Sequence, residues 1–132
     1  MAFNMTVWLM ALPFAAALTN LTDSNILSAA NLWVSDQASE EAEYGPVEAW
    51  DTSRVTSMDC LWSGYSACGG QFVLKQSFNG DVSSWDVSSV TDMSDMFSKA
   101  ISFNGDINSW DVSNVEDMTA MFSDSCVYHN IS

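Results

Sequence analysis

Basic residues are almost absent from this sequence. Of its 132 residues, 3 are Lys or Arg, 1 is His and 17 are Asp or Glu, so that the formal net charge at pH 7 is −14. A surface with this charge repels nucleic-acid phosphates and anionic lipid headgroups, which excludes nucleic acid as an expected partner. The same charge suits Ca²⁺ or a basic protein partner, and it also keeps an aromatic-rich chain soluble.

Signatures of catalysis and of zinc binding are also missing. The sequence contains no GxSxG, HExxH, P-loop or GxGxxG motif, and its lone His129 offers no triad. We therefore expect a protein that is not an enzyme and that holds no cofactor. With no CxxC pair and one His, a Cys/His zinc site is not expected either.

The three cysteines are Cys60, Cys68 and Cys126. Cys60 and Cys68 are close enough in sequence to form a local disulfide, which leaves Cys126 free. A disulfide of this kind indicates an oxidising compartment.

Charge is absent from the N-terminal residues 5–18, MTVWLMALPFAAAL. We interpret residues 1–19 as a secretory signal peptide or a retained membrane anchor, with an apolar packing helix as the third alternative. Membrane association would then run through residues 2–18. The triplets at Asn20 and Asn130 match the glycosylation sequon, and together these features predict the secretory pathway, the cell surface or the extracellular space, with a membrane-associated or organelle-lumen location as the alternative.

An internal repeat is the most informative feature that is present. Residues 77–101, SFNGDVSSWDVSSVTDMSDMFSKAI, align without a gap to residues 102–126, SFNGDINSWDVSNVEDMTAMFSDSC, with 16 of 25 positions identical. An earlier copy over residues 45–65 matches the second copy at 9 of 21 positions, and an insertion over residues 67–76 follows it. The chain therefore divides into an N-terminal segment 1–19, a segment 20–44 and a repeat region 45–132.

Equivalent residues of the copies form columns of one chemical type. We predict that the Trp and Met columns form a buried structural ladder, because a single copy cannot bury its own apolar face and copies must stack. The members of the ladder are Trp50, Trp85, Trp110, Met58, Met93 and Met118.

Periodicity within one copy predicts a strand, a turn and a short helix. Val90, Met93, Met96 and Phe97 lie on one face of a short helix, and the segment GDVSSWDV favours a strand. The Asn-Gly pair at Gly80 is typical of a turn with positive φ. The predicted fold is α+β, a short leucine-rich-repeat-like β/α solenoid of about three rungs.

An Asp follows each Trp, at Asp51, Asp86 and Asp111. These side chains are expected to accept N–H bonds in their own turns. They are also weak candidates for Ca²⁺ ligands, since Ca²⁺ takes six to eight oxygen ligands.

The two ends of the repeat region are expected to differ. Residues 20–44 predict a helical N-terminal cap, with one helix through Ile26, Ala30 and Trp33 and a second over residues 35–43 that Gly45 ends. We expect no such cap on the last copy. The candidate interface there consists of Met121, Phe122, Val127 and Tyr128.

The pattern SFNGDINSWDVSNVEDMTAMFS resembles the repeat of the BspA-type leucine-rich-repeat surface proteins, whose consensus is close to FNxDIxxWDVSNVTDMxxMFxxA. The resemblance covers residues 77–126 and 45–65, and NLWVSDQASEEAEYGPVEAWDTSRVTSM resembles the segment that opens such arrays. It implies a right-handed repeat coil, adhesive or protein-binding roles at the cell surface and no catalytic residues. This chain departs from the family pattern in its few copies and in its CGG-containing insertion.

Two functional classes follow. One is a non-catalytic repeat protein that mediates protein binding or adhesion at the cell surface or in the secretory space. The other is a small accessory or structural subunit of a larger, for example algal and membrane-bound, protein complex. Both require a protein partner.

Overall fold

A computed structural model describes residues 18–125. Its α-helices are α1 (Ile26–Ser35), α2 (Gln37–Tyr44) and α3 (Phe72–Lys75), and short 3₁₀ turns span Val47–Ala49 and Ser66–Cys68. Most of the N-terminal apolar segment, Cys126, Val127, Tyr128 and Asn130 lie outside the described residues.

Helices α1 and α2 form where the sequence predicts the N-terminal cap. Helix α1 buries Ile26, Ala29 and Ala30, which share one face at helical spacing. The Asp36 side chain accepts the backbone N–H of Ser39 at 3.2 Å and so caps the start of α2. Gly45 ends α2 with a φ of 80°.

The predicted β/α solenoid is wrong. Within residues 18–125 the structure contains no β-strand, and the only strand-like pairings are the isolated parallel bridges Ser57–Asp92 and Asp92–Asp117. The repeat region consists mostly of turns, and only α3, in the insertion between the first two copies, is an α-helix there.

The short helix predicted for each copy does not form, and residues with positive φ occur in its place. In the second copy, Asp95 and Lys99 have φ values of 53° and 55°, which a right-handed helix does not admit. The backbone N–H of Met96 bonds to the carbonyl of Met93 at 3.2 Å, and this turn contains Asp95. Equivalent residues of the other copies have positive φ as well, namely Cys60, Ala120 and Asp124.

Aspartate side chains prevent the segment GDVSSWDV from extending into a strand. Asp81 accepts the backbone N–H of Ser83 at 3.0 Å, and Asp86 accepts that of Ser88 at 3.0 Å. Such local bonds satisfy the backbone in turns and compete with strand pairing.

Alternate residues join one copy to the next. Every second N–H from Met58 to Gly64 donates to a carbonyl of the second copy, and every second N–H from Met93 to Lys99 donates to the third. The donor–acceptor distances lie between 2.8 and 3.0 Å, and the pairs are Met58–Asp92, Cys60–Ser94, Trp62–Met96, Gly64–Ser98, Met93–Asp117, Asp95–Thr119, Phe97–Met121 and Lys99–Ser123. The three copies therefore lie side by side in register.

The core between the copies is aromatic. Trp50 stacks on Trp85 with ring centroids 5.5 Å apart, and Phe97 stacks on Phe103 at 4.1 Å. Gly80 does not adopt the predicted positive φ. A side chain there would lie 2.8 Å from the Phe78 ring, so that glycine is needed for close packing.

Candidate functional site

Burial differs sharply between the second and third copies at equivalent positions. Met93 is fully buried whereas Met118 is 44% exposed, and Val87 is 1% exposed whereas Val112 is 38% exposed. The third copy covers Met93 and Val87, and within residues 18–125 no further copy covers Met118 and Val112. We call the side of the third copy that presents Met118 and Val112 the open face.

Three backbone donors at the open face have no acceptor in the part of the chain that the structure describes. In the second copy the N–H groups of Met93 and Asp95 donate to the third copy. The equivalent N–H groups of Met118, Ala120 and Asp124 have no acceptor among the described residues. The open face therefore combines apolar side chains with donors that no described residue pairs, and such groups favour a protein partner.

Five of the six residues predicted for the ladder are buried, and one is exposed. Trp50, Trp85, Trp110, Met58 and Met93 are all buried, whereas Met118 departs from the prediction and lies at the open face.

The two described residues of the predicted interface are not exposed. Met121 is buried, and Phe122 is half-buried with its ring stacked on Phe97 at a centroid distance of 5.7 Å. The exposed apolar residues of this copy are instead Met118 and Val112, of which sequence reasoning missed Val112. The column that contains Val87 could have indicated it.

The opposite end of the repeat region is covered. Asp23 accepts the backbone N–H of Thr56 at 2.7 Å, that of Ser57 at 3.2 Å and the Thr56 hydroxyl, and the hydroxyl bond is the main reason that the pKa of Asp23 is lowered. Trp33 of α1 packs edge-on against Trp62 with centroids 5.8 Å apart. Residues 18–45 thus satisfy and bury the outer side of the first copy.

Glu40 is a buried carboxyl group that sequence reasoning missed. Its Oε1 accepts the indole N–H of Trp50 at 2.8 Å, and its Oε2 is buried without a hydrogen-bond partner. Burial raises the pKa of Glu40 to about 7 despite the Trp50 bond, and the charges of Glu41 and Glu48 raise it further. The polar helix QASEEAEY contains no signal for this burial beyond the spacing of Glu40 and Tyr44.

Lys75 is a second buried charged residue that sequence reasoning missed. It is buried at the end of α3, and burial lowers its pKa to about 8. The cleft beside α2, lined by Ala38, Glu41, Ala42 and Pro46, contains a single carboxylate.

Cys60 and Cys68 are joined by a disulfide, with their Cα atoms 5.6 Å apart. It ties the 3₁₀ turn of the insertion to the first copy. Their sulfur atoms and the Asp95 carboxylate form the one group of three potential metal ligands among the described residues. Because both sulfurs are bonded to each other, they are not free to bind a metal.

The aspartates proposed for Ca²⁺ stay in separate turns. Asp51, Asp86 and Asp111 each accept the N–H of the serine two residues later, at 3.0 to 3.1 Å. Hydrogen bonds from these serine side chains are the main reason that the pKa of each carboxyl is lowered. Within residues 18–125, these three carboxylates do not come close enough together to bind one metal ion.

Asn20 is exposed near the start of the described residues, and its backbone carbonyl accepts the Asn25 side-chain amide at 2.8 Å. Among residues 18–125 there is no helix with the length and hydrophobicity needed to cross a membrane.

Comparison with known proteins identifies the repeat region. The family described as Mycoplasma protein of unknown function, DUF285, matches residues 31–132, which include α2 and all three copies. Neither the curated proteins nor the solved structures contain a significant match to the chain. The match spans more than half of the sequence, and the protein therefore belongs to the DUF285 family.

Proposed function

We propose that this protein is a non-catalytic repeat module of the BspA type that binds another protein through its open face, at the cell surface or in the secretory space. The observation that carries the proposal is the exposure of Met118 and Val112 beside N–H groups that find no acceptor within residues 18–125. Burying such a surface gains about 25 cal/mol per Å² of apolar area, and pairing the donors makes the contact directional.

The charge and the disulfide support the same proposal. A net charge of −14 disfavours nucleic acid and anionic lipid surfaces, so the charge supports a protein as the partner. The Cys60–Cys68 bond supports residence in an oxidising compartment.

Site-specific photo-crosslinking in the cells from which the chain originates tests this function. A benzophenone amino acid replaces Met118 in one variant and Val73 in the control, because Val73 is 61% exposed on α3 and lies outside the third copy. We expect a discrete crosslinked protein from position 118 and none from position 73. The purified partner should then bind the parent chain and lose affinity for Met118→Lys.

Equal crosslinking from both positions, or none from position 118, would contradict the proposal. The identity of the partner separates a surface adhesion role from a role as an accessory subunit of a larger complex.

A further inference from the structure

Two internal interfaces join the copies, one between the first and second copies and one between the second and third. Both use the same kinds of side-chain donor. The indole N–H of Trp85 donates to the Val47 carbonyl at 2.8 Å, and that of Trp110 donates to the Val82 carbonyl at 3.0 Å. Each of these bonds is buried and joins one copy to the copy before it.

The serine that precedes each Trp donates to the carbonyl that follows the acceptor of that Trp. Ser84 donates to the Glu48 carbonyl at 2.6 Å, and Ser109 donates to the Ser83 carbonyl at 3.1 Å. A copy therefore recognises its predecessor through one Trp, one Ser and the alternate backbone pairs of the turn segment.

The open face presents the same groups in the same places. Ile107 and Asn108 occupy the positions of Val82 and Ser83, whose carbonyls accept from the third copy. On the turn segment, Met118 and Ala120 offer the N–H groups that Met93 and Asp95 use.

We infer that the partner of the open face is a further copy of this repeat, carried by another polypeptide and docked in the register of the two internal interfaces. This inference rests on the proposed function and specifies the partner of the same face. The partner's Trp would donate to the Ile107 carbonyl and its Ser to the Asn108 carbonyl. Its turn segment would supply carbonyl acceptors for Met118 and Ala120.

A second copy of this chain is not that partner. Docking in this register requires the uncovered outer side of a repeat, and residues 18–45 cover that side of the first copy. Asp23 occupies the N–H groups of Thr56 and Ser57 there, and Glu40 accepts the Trp50 indole.

Binding of a repeat peptide tests the inference. The probe is a fluorescein-labelled peptide with the sequence of residues 77–101, titrated with the full-length, disulfide-bonded chain and followed by fluorescence anisotropy. We expect saturable binding, slower hydrogen exchange at the Met118 and Ala120 amides, and at least about ten-fold weaker binding by Met118→Lys. The control Val73→Lys should bind as the parent does.

Controls on the peptide complete the experiment. A peptide with Trp85 replaced by Ala should bind at least about ten-fold more weakly, and a scrambled peptide should not bind. Lack of saturable binding, equal binding of the scrambled peptide, or no effect of Met118→Lys would overturn the inference. A dimer of the chain alone that Met118→Lys abolishes would also overturn it, because the partner would then be a second copy.

The two proposals fail separately. A crosslinked partner without this repeat leaves the proposed function standing and ends the present inference. Absence of any specific crosslink at position 118 ends the proposed function itself.

Discussion

Met93 and Met118 occupy the same position in successive copies, yet the first is fully buried and the second is 44% exposed. The valines at positions 87 and 112 differ in the same way. Local sequence does not cause the difference, since both copies share the motif WDVS and the following Val, Asp and Met. It arises because burial at each position depends on the next copy, so that a repeat acquires its core only when it has a neighbour.

The two ends of the stack differ for a related reason. Residues 18–45 supply the first copy with the contacts that a preceding copy would have made. Glu40 and the Gly45 carbonyl accept the Trp50 indole, in place of the repeat carbonyl that accepts the Trp85 indole. The open face has no such substitute among the described residues.

The largest expected effect comes from the centre of the stack. Trp85→Ala removes a ring that stacks on Trp50 and a buried hydrogen bond to Val47, and we expect a loss of about 3–5 kcal/mol in the free energy of unfolding. Urea denaturation measures the loss. Unchanged stability would place Trp85 outside the core.

A matched pair of methionine substitutions directly tests the difference in burial between the second and third copies. Met93→Ala should cost about 2–5 kcal/mol, because it leaves a cavity between copies. Met118→Ala should stay within about 0.5 kcal/mol of the parent in the isolated chain. Similar costs for the two variants would mean that the open face is covered without a partner.

The disulfide fastens the insertion to the covered end. Replacing Cys60 and Cys68 by Ala opens a loop of sequence separation 8, for which we expect a loss of about 2–3 kcal/mol. Denaturation with and without reductant measures it, and reductant should not affect the double variant. Peptide mapping that links Cys68 to Cys126 would contradict the pairing on which this expectation rests.

The smallest expected effect is a pH dependence that originates at the covered end. Between about pH 4.5 and 7 the folded chain holds the Glu40 proton and the unfolded chain does not, so that raising the pH across this interval should lower the free energy of unfolding. Glu40→Gln keeps an acceptor for Trp50 and should reduce the slope. Thermal unfolding measured at several pH values provides the test.

Glu41→Gln is the matched control for this pH dependence. It removes the same charge from an exposed position on the same helix, and it should retain most of the slope. Equal slopes for the two variants would attribute the pH dependence to the overall acidity of the chain.

Parts of the fold could be predicted where a signal was local or repeated, although the predicted fold class was wrong. The spacing of Ile26 and Ala30 predicts α1, and Gly45 predicts the end of α2. Alignment of the copies predicts one environment for Trp50, Trp85 and Trp110. The turn conformation could not be predicted, because apolar residues at helical spacing also suit consecutive turns and because positive φ at Asp95 and Lys99 has no glycine to indicate it.

The sequence predicts a candidate interface at the third copy, but it does not indicate which apolar residues of that copy are exposed. Met121 and Phe122 were chosen for their hydrophobicity, but Met121 is buried and the Phe122 ring packs against Phe97. Met118 was assigned to the ladder because its equivalents belong there. Only the arrangement of the copies shows which apolar side chains of the third copy face outward.

The sequence by itself determined the repeat, its register, the acidic charge and the proximity of the two paired cysteines, since each is a property of composition or spacing. Tertiary structure decided the backbone conformation of the copies, the burial of Glu40 and the exposure of Met118 and Val112. The physical reason is that the turns are held by hydrogen bonds to residues 24 to 38 positions away, such as Met93 to Asp117 and Trp85 to Val47. Residues within one copy could not specify what only a neighbouring copy supplies.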